Sequence, residues 1–206
     1  MMLPDLNCLV YERTQGNYKI QCTKNHIHPQ IAEFVAQAYY RKFDFSISYR
    51  DLVKLLGEED ELYKDFSFVY AIYDGQDQLL ATAKMIRFTP PVLLPIEKEF
   101  NIDLRKLAHR MAPTNEIWEV SRLSTRCNQA EVIKLLLKEG IYHCSSKDDI
   151  IVACIDQWVL RKLRRIGIPF TDLGESKLYL GSLTCPAAYS IRDLTGEFSY
   201  DMLHRD

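Results

Sequence analysis

A mixed α/β fold, with one central sheet and helices on its faces, is what this 206-residue sequence predicts. Three observations predict it. Strand-like and helix-like segments alternate along the chain, and a hairpin signature interrupts that alternation once. The composition, 47% hydrophobic against 26% charged, is enough for a sizeable core without disulfide or metal staples. With no internal repeat and no low-complexity linker, residues 1–206 are expected to form a single domain.

The elements follow in order. Tyr18-Lys-Ile-Gln-Cys-Thr23 alternates polar and apolar residues, as a half-buried strand does. His28-Pro29 opens a helix whose Ile31, Phe34, Val35 and Ala38 fall on one face. The acidic stretch from Asp51 to Asp65 is expected as loop or short helix. Phe68–Tyr73 and Leu79–Phe88 flank the turn Asp74-Gly-Gln-Asp77 and predict a hairpin. Pro90, Pro91 and Pro95 mark a loop, and a helix is expected from Ile96 to Met111. Glu116–Ser124 is strand-like. Asn128 with Glu131 resembles a capping box, opening a helix through Val132, Leu135 and Leu136 that should stop at Gly140. Asp149–Ile155 is an apolar run suited to a central strand. Asp156 can cap a helix with Val159, Leu163 and Ile166 on one face and Gly167 at its end. Leu178–Leu180 and Ala188–Ile191 read as terminal strands.

Composition narrows the function. The net charge of -2 argues against a general nucleic-acid binder, so any anionic partner must meet a local basic patch. The six cysteines show no C-x-x-C spacing, and with no secretory start and no apolar run of membrane-spanning length the expectation is a reduced, cytoplasmic protein. His26-x-His28 has no third ligand near it in sequence, so no metal is expected. No feature activates the thiol of His143-Cys144 as a nucleophile.

The densest polar cluster on a strand is Glu116-Ile-Trp118-Glu119-Val-Ser121-Arg122. Regular pleating sets Glu119 and Ser121 on one face and Glu116, Trp118 and Arg122 on the other; a bulge would break that parity. A carboxylate here can take a proton from an amine nucleophile. A structural Glu–Arg pair across the sheet is the competing reading. On the helix after Asp156, Arg161, Lys162, Arg164 and Arg165 crowd together, with Arg161 and Arg165 on one face. They fit either a docking surface or a solvated helix face. Tyr39, Tyr40, Phe43 and Phe45 fit core packing or the lining of an acyl tunnel.

Glu119-Val-Ser-Arg122 resembles the E-x-[ST]-R signature of the autoinducer (acyl-homoserine lactone) synthases, a branch of the GNAT-like acyl-CoA N-acyltransferase superfamily. Arg41-x-x-x-Phe45 resembles their early R-x-x-x-F. Asp60-Glu-Leu-Tyr-Lys-Asp65 before the strand at Phe68 is similar to their acidic segment, and Ala81–Pro90 to their G-x-x-R-L-L-P-T strand end. Leu93–Phe100 resembles the proline loop and helix that follow, and in all the similarity spans about residues 30–165. Lys84 stands where the synthases carry an arginine and Ala81 where they carry a glycine, and no tryptophan occurs between residues 46 and 56. Those positions shape the S-adenosylmethionine pocket. The sequence is more similar to the sister branch of long-chain N-acyl amino acid synthases, which join a fatty acyl group from acyl carrier protein to an amino acid amine.

The resemblance implies a GNAT-like fold and an acyl group delivered as acyl-phosphopantetheine on acyl carrier protein, with no cofactor bound. It implies Glu119 as general base with Glu116 as substitute, and Arg122 orienting Glu119 or pairing with Asp60 or Asp65. Arg41 and Lys84 suit the acceptor's carboxylate, with Phe45, Trp118 and Ser121 as further substrate-binding residues. Arg126, Arg161, Lys162, Arg164 and Arg165 are the expected carrier contacts. Acetyl-CoA users of the superfamily carry a glycine-rich pyrophosphate loop after the central strand, whereas Arg122–Ala130 contains no glycine, in keeping with a carrier-borne donor. Two alternatives stay open: an autoinducer synthase that uses S-adenosylmethionine, and a non-catalytic GNAT-like module that binds acyl carrier protein or another partner.

Overall fold

β-branched and aromatic runs separated by Gly and Asp turns build a mixed sheet, and amphipathic segments between them build its helices. The structure is a computed structural model that describes residues 8–24, 29–41, 48–109, 112, 114–126 and 129–204. The chain divides into two units, residues 1–85 with 122–137 and residues 86–121 with 138–206.

In the first unit the strand order is β1 (Leu9–Gln15), β2 (Tyr18–Lys24), β3 (Ser67–Tyr73), β4 (Leu79–Arg87, in this unit as far as Met85). β1–β2 and β2–β3 pair antiparallel, with Gln21 opposite both Glu12 and Ala71. β1 is an element that the sequence reading does not contain. It is an edge strand, mostly exposed, so no buried face disciplines its residues into alternation. The β3–β4 hairpin forms as expected: Asp74 Oδ1 accepts the amides of Gln76 and Gln78 and fixes the turn. α1 (Pro29–Tyr40) buries Ile31, Phe34 and Val35, the face its spacing predicts.

α2 (Tyr49–Tyr63) corrects the expected loop or short helix. Ser48 Oγ accepts the Asp51 amide at 3.2 Å and caps the first turn. Leu52, Leu56 and Tyr63 are buried on one face while most of the acidic residues point to solvent. The high charge is therefore that of an amphipathic helix.

In the second unit the order is β5 (Ile117–Thr125, in this unit as far as Ser121), β6 (Ile150–Asp156), β9 (Ser182–Ser190), β7 (Thr171–Asp172), with β8 (Lys177–Tyr179) also pairing with β9. β5 and β6 are parallel, with Glu119 opposite Val152; β9 runs antiparallel to β6 and starts earlier than expected. The helix expected over 96–111 is two short ones, α3 (Pro95–Phe100) and α4 (Leu104–Ala108). Asn101 ends the first in the left-handed region (φ 56) and Asp103 caps the second. α5 (Ala130–His143) spans both units and runs through Gly140 rather than stopping there; Asn128, its expected cap, lies outside the described residues. α6 (Gln157–Arg165) starts where predicted, Asp156 Oδ1 accepting the amides of Trp158 and Val159. Its buried face is Leu160 and Leu163. A last turn, α7 (Tyr200–Leu203), closes the described chain. Among the described residues, no helix is long and apolar enough to cross a membrane.

Candidate active site

Extended backbone carries β5 from Ile117 to Ser121, and Arg122 then takes φ 58. A left-handed conformation at a non-glycine residue costs about 1 kcal/mol or more and breaks the alternation of side chains. Regular parity therefore holds up to Ser121 and does not extend to Arg122.

In the second unit, Glu119 is 1% exposed. Its Oε2 accepts the Ile96 amide of α3 at 3.2 Å, and Cys154 of β6 places its thiol 3.8 Å from Oε1. Glu119 is thus a buried carboxylate with a backbone amide at one oxygen and a thiol near the other. Glu116, just before the strand, is taken up by Arg87, Oε1 to Nη2 at 2.5 Å. Its amide donates to Asp149 Oδ1 at 2.8 Å. Trp118 is buried, edge-on to His143 at 4.8 Å between centroids, on the strand face opposite Glu119. Ser121 Oγ is buried and has no hydrogen-bond partner among the described residues.

In the first unit the buried charges form a cluster. Lys84 is 2% exposed and its Nζ donates to Asp60 Oδ1 at 2.8 Å. Arg122, 5% exposed, meets Glu59 at 3.2 Å and Asp60 at 3.5 Å, and donates to the Leu56 carbonyl at 3.1 Å. Burial pulls the Lys84 ammonium below its ordinary value, and Asp60 opposes that shift. α2 presents both acids because Leu56, Glu59, Asp60 and Tyr63 share the face it turns inward. Lys84 thus has a carboxylate already in place, where the sequence suggested a hand for the substrate's carboxylate.

The remaining expected residues fall elsewhere. Arg41 is exposed at the end of α1. Phe45 and Phe43 lie outside the described residues, as do His26 and His28. Arg126 stacks on Phe34 at 5.5 Å, beside a cleft of about 200 Å³ lined also by Gln30, Gln37 and Tyr73. On α6, Arg161, Lys162 and Arg165 are exposed, and Lys162 sits over the ring of the exposed Trp158. Arg164 is different: it donates to the Phe170 carbonyl at 3.0 Å and pairs with Asp172 at 2.5 Å, tying α6 to β7.

Cys154 and Glu59 are the neighbours of the predicted residues that sequence reasoning missed. Cys154 lies inside an apolar strand run with nothing to set it apart. Glu59 is one of four consecutive acids on α2, Glu58 to Glu61, which only the helix phase tells apart.

No family model and no curated protein matches the chain. Solved structures do. FeeM, an N-acyl amino acid synthase from uncultured soil microbes, superposes with a TM-score of 0.63 at 11% identity, covering 87% of this chain and 95% of that one. The acyl-homoserine lactone (AHL) synthase LasI gives 0.55 at 15% identity over 92% and 96%. BjaI, a CoA-dependent acyl-homoserine lactone synthase, gives 0.54 at 18% over 89% and 86%. The fold is that of the GNAT-like acyltransferases. These N-acyl amino acid and acyl-homoserine lactone synthases have that fold.

Proposed function

We propose that the protein is an N-acyltransferase that moves a long-chain acyl group from acyl carrier protein to the α-amine of an amino acid. The observation that carries this reading is the buried Glu119 carboxylate on the central strand, in a fold shared with FeeM. The amine nitrogen attacks the thioester carbonyl carbon, the C–N bond forms, the C–S bond breaks, and the carrier leaves as its thiol. The amine's proton passes to Glu119, directly or through one water, and the departing sulfur takes up a proton. Backbone N–H groups of β5 stabilise the oxyanion, and Ser121 Oγ adds a polar contact to the substrate. Arg122 fixes the strand against α2 through Glu59 and Asp60. Arg41, exposed at the end of α1, is a cation for the acceptor's carboxylate, whereas Lys84 is engaged by Asp60. Phe45 is assigned to the apolar lining, whereas Trp118, packed on His143 on the face opposite Glu119, and Glu116, paired with Arg87, hold the strand in place.

An acidic carrier needs a basic, accessible face, which Arg161, Lys162 and Arg165 present together, with Arg126 as a further contact. Arg164 serves α6 itself and belongs to the docking set only through its charge. The double variant Arg161→Glu/Arg165→Glu is expected to lower kcat/KM for a carrier-borne donor about tenfold at low salt, with the loss shrinking as salt screens the charges. A CoA-borne donor should be little affected. Equal losses on both donors would place the docking face elsewhere.

The reading itself is tested by thiol release. Long-chain acyl carrier protein or acyl-CoA is mixed with the protein and single amino acids, and free thiol is followed. Amino-acid-dependent release from the carrier is expected. Release from acyl-CoA alone would transfer the reading to a CoA donor, the donor of BjaI. A second reading, an autoinducer synthase acting on S-adenosylmethionine, draws on the likeness to LasI and BjaI.

A further inference from the structure

Val152 of β6 stands opposite Glu119 in parallel register, so Cys154, two residues on, shares the face of the sheet on which Glu119 lies. The Cys154 Sγ is 3.8 Å from Glu119 Oε1, the long end for a thiol donor, and the Ile96 amide reaches Oε2 at 3.2 Å. Each carboxylate oxygen therefore has a donor beside it. An ionised carboxylate only accepts, and a thiol has a single proton to give, so while Glu119 is ionised the S–H has reason to point at it. Two acids on the flanking elements are engaged elsewhere. Glu97 of α3 accepts the Leu94 amide at 2.9 Å, and Asp156 of β6 accepts the amides of Trp158 and Val159.

We infer that Cys154 is a positioning residue for Glu119: its thiol holds the carboxylate in one rotamer and favours the ionised form that can accept a proton. The inference rests on the proposed role of Glu119 as base. It has a reciprocal consequence. A carboxylate beside a thiol disfavours the thiolate, so Cys154 should be a slow-reacting cysteine for as long as Glu119 carries its charge.

Two measurements test it. In kinetics with a long-chain acyl carrier thioester, Cys154→Ala should lower kcat several-fold. It should also move the acid limb of kcat/KM to higher pH by about half a unit, because a donor to the ionised form is lost. Cys154→Ser keeps a donor and should return the limb towards the wild-type position. The second measurement needs no turnover: iodoacetamide labelling at pH 8, read cysteine by cysteine by peptide mass spectrometry. Glu119→Gln should raise labelling of Cys154 several-fold, with the fully buried Cys22 as internal reference. A wild-type pH profile in Cys154→Ala, or unchanged labelling in Glu119→Gln, would overturn the inference. The base assignment fails in a different pattern: labelling rises in Glu119→Gln but turnover is undiminished, and the inference falls with the assignment on which it rests.

Discussion

Glu119→Gln is expected to lower turnover by about 10²–10³-fold and to leave the protein folded. The substitution is nearly isosteric. The side-chain amide oxygen still accepts the Ile96 N–H, so the contact between α3 and β5 survives. Removing a buried charge that already faces amide and thiol donors should change stability by about 1 kcal/mol or less. What is lost is the capacity to take a proton from the amine. Folding and catalysis therefore separate in this variant, and an unfolding midpoint measured beside kcat reads both. A Glu119→Gln protein with wild-type turnover would remove Glu119 from the chemistry and leave Glu116 as the nearest acid in sequence.

Asp60→Ala is expected to do the reverse, striking stability first. Asp60 is the shared counter-charge of Lys84 and Arg122, both of them buried. Taking it away leaves the Lys84 ammonium without its carboxylate, a loss of about 3–5 kcal/mol and about 10 °C in Tm for a chain of this size. Arg122 keeps Glu59, which limits the damage to the lysine. The pH dependence has a definite sign. Burial lowers the Lys84 pKa from the ordinary 10.5. Between its folded value and 10.5 the unfolded chain binds more protons than the folded one, so the contribution of Lys84 to stability rises as pH rises through that window. Asp60→Ala removes the group that opposes the shift, so the window widens downwards and the variant should recover more stability than wild type between pH 7 and about 9.5. Urea midpoints at the two pH values measure this. A midpoint equal to wild type at pH 7 would mean that the buried pair is not holding α2 to the sheet.

Much of this fold can be read from residues whose local and tertiary preferences agree. The Asp74 turn, the apolar face of α1 and the Asp156 cap of α6 each satisfy a backbone or packing rule within a few residues, and the structure places all of them as expected. What the sequence hides is set by partners distant along the chain. β1 is half polar because it is an edge, and α2 is concealed by its acids until Leu52, Leu56 and Tyr63 are seen to share a face. The break at Asn101 carries no glycine to announce it, and α5 passes through Gly140, a residue that more often ends a helix. In the candidate site, Glu119 and Arg122 are conspicuous as charges on a strand. The left-handed turn at Arg122 is not, since no glycine marks it. The tie between Lys84 and Asp60 is likewise invisible, joining residues 24 apart through the phase of a helix that composition obscures.

The central claim is that this chain makes an amide between a carrier-borne fatty acyl group and an amino acid. Mass spectrometry of one reaction tests it most directly: the protein, carrier proteins loaded with acyl chains of mixed length, all the common amino acids and S-adenosylmethionine. N-acyl amino acids, absent when Glu119→Gln replaces the wild type, are the predicted products. Acyl-homoserine lactones, or no acylated product from a folded protein, would contradict the account.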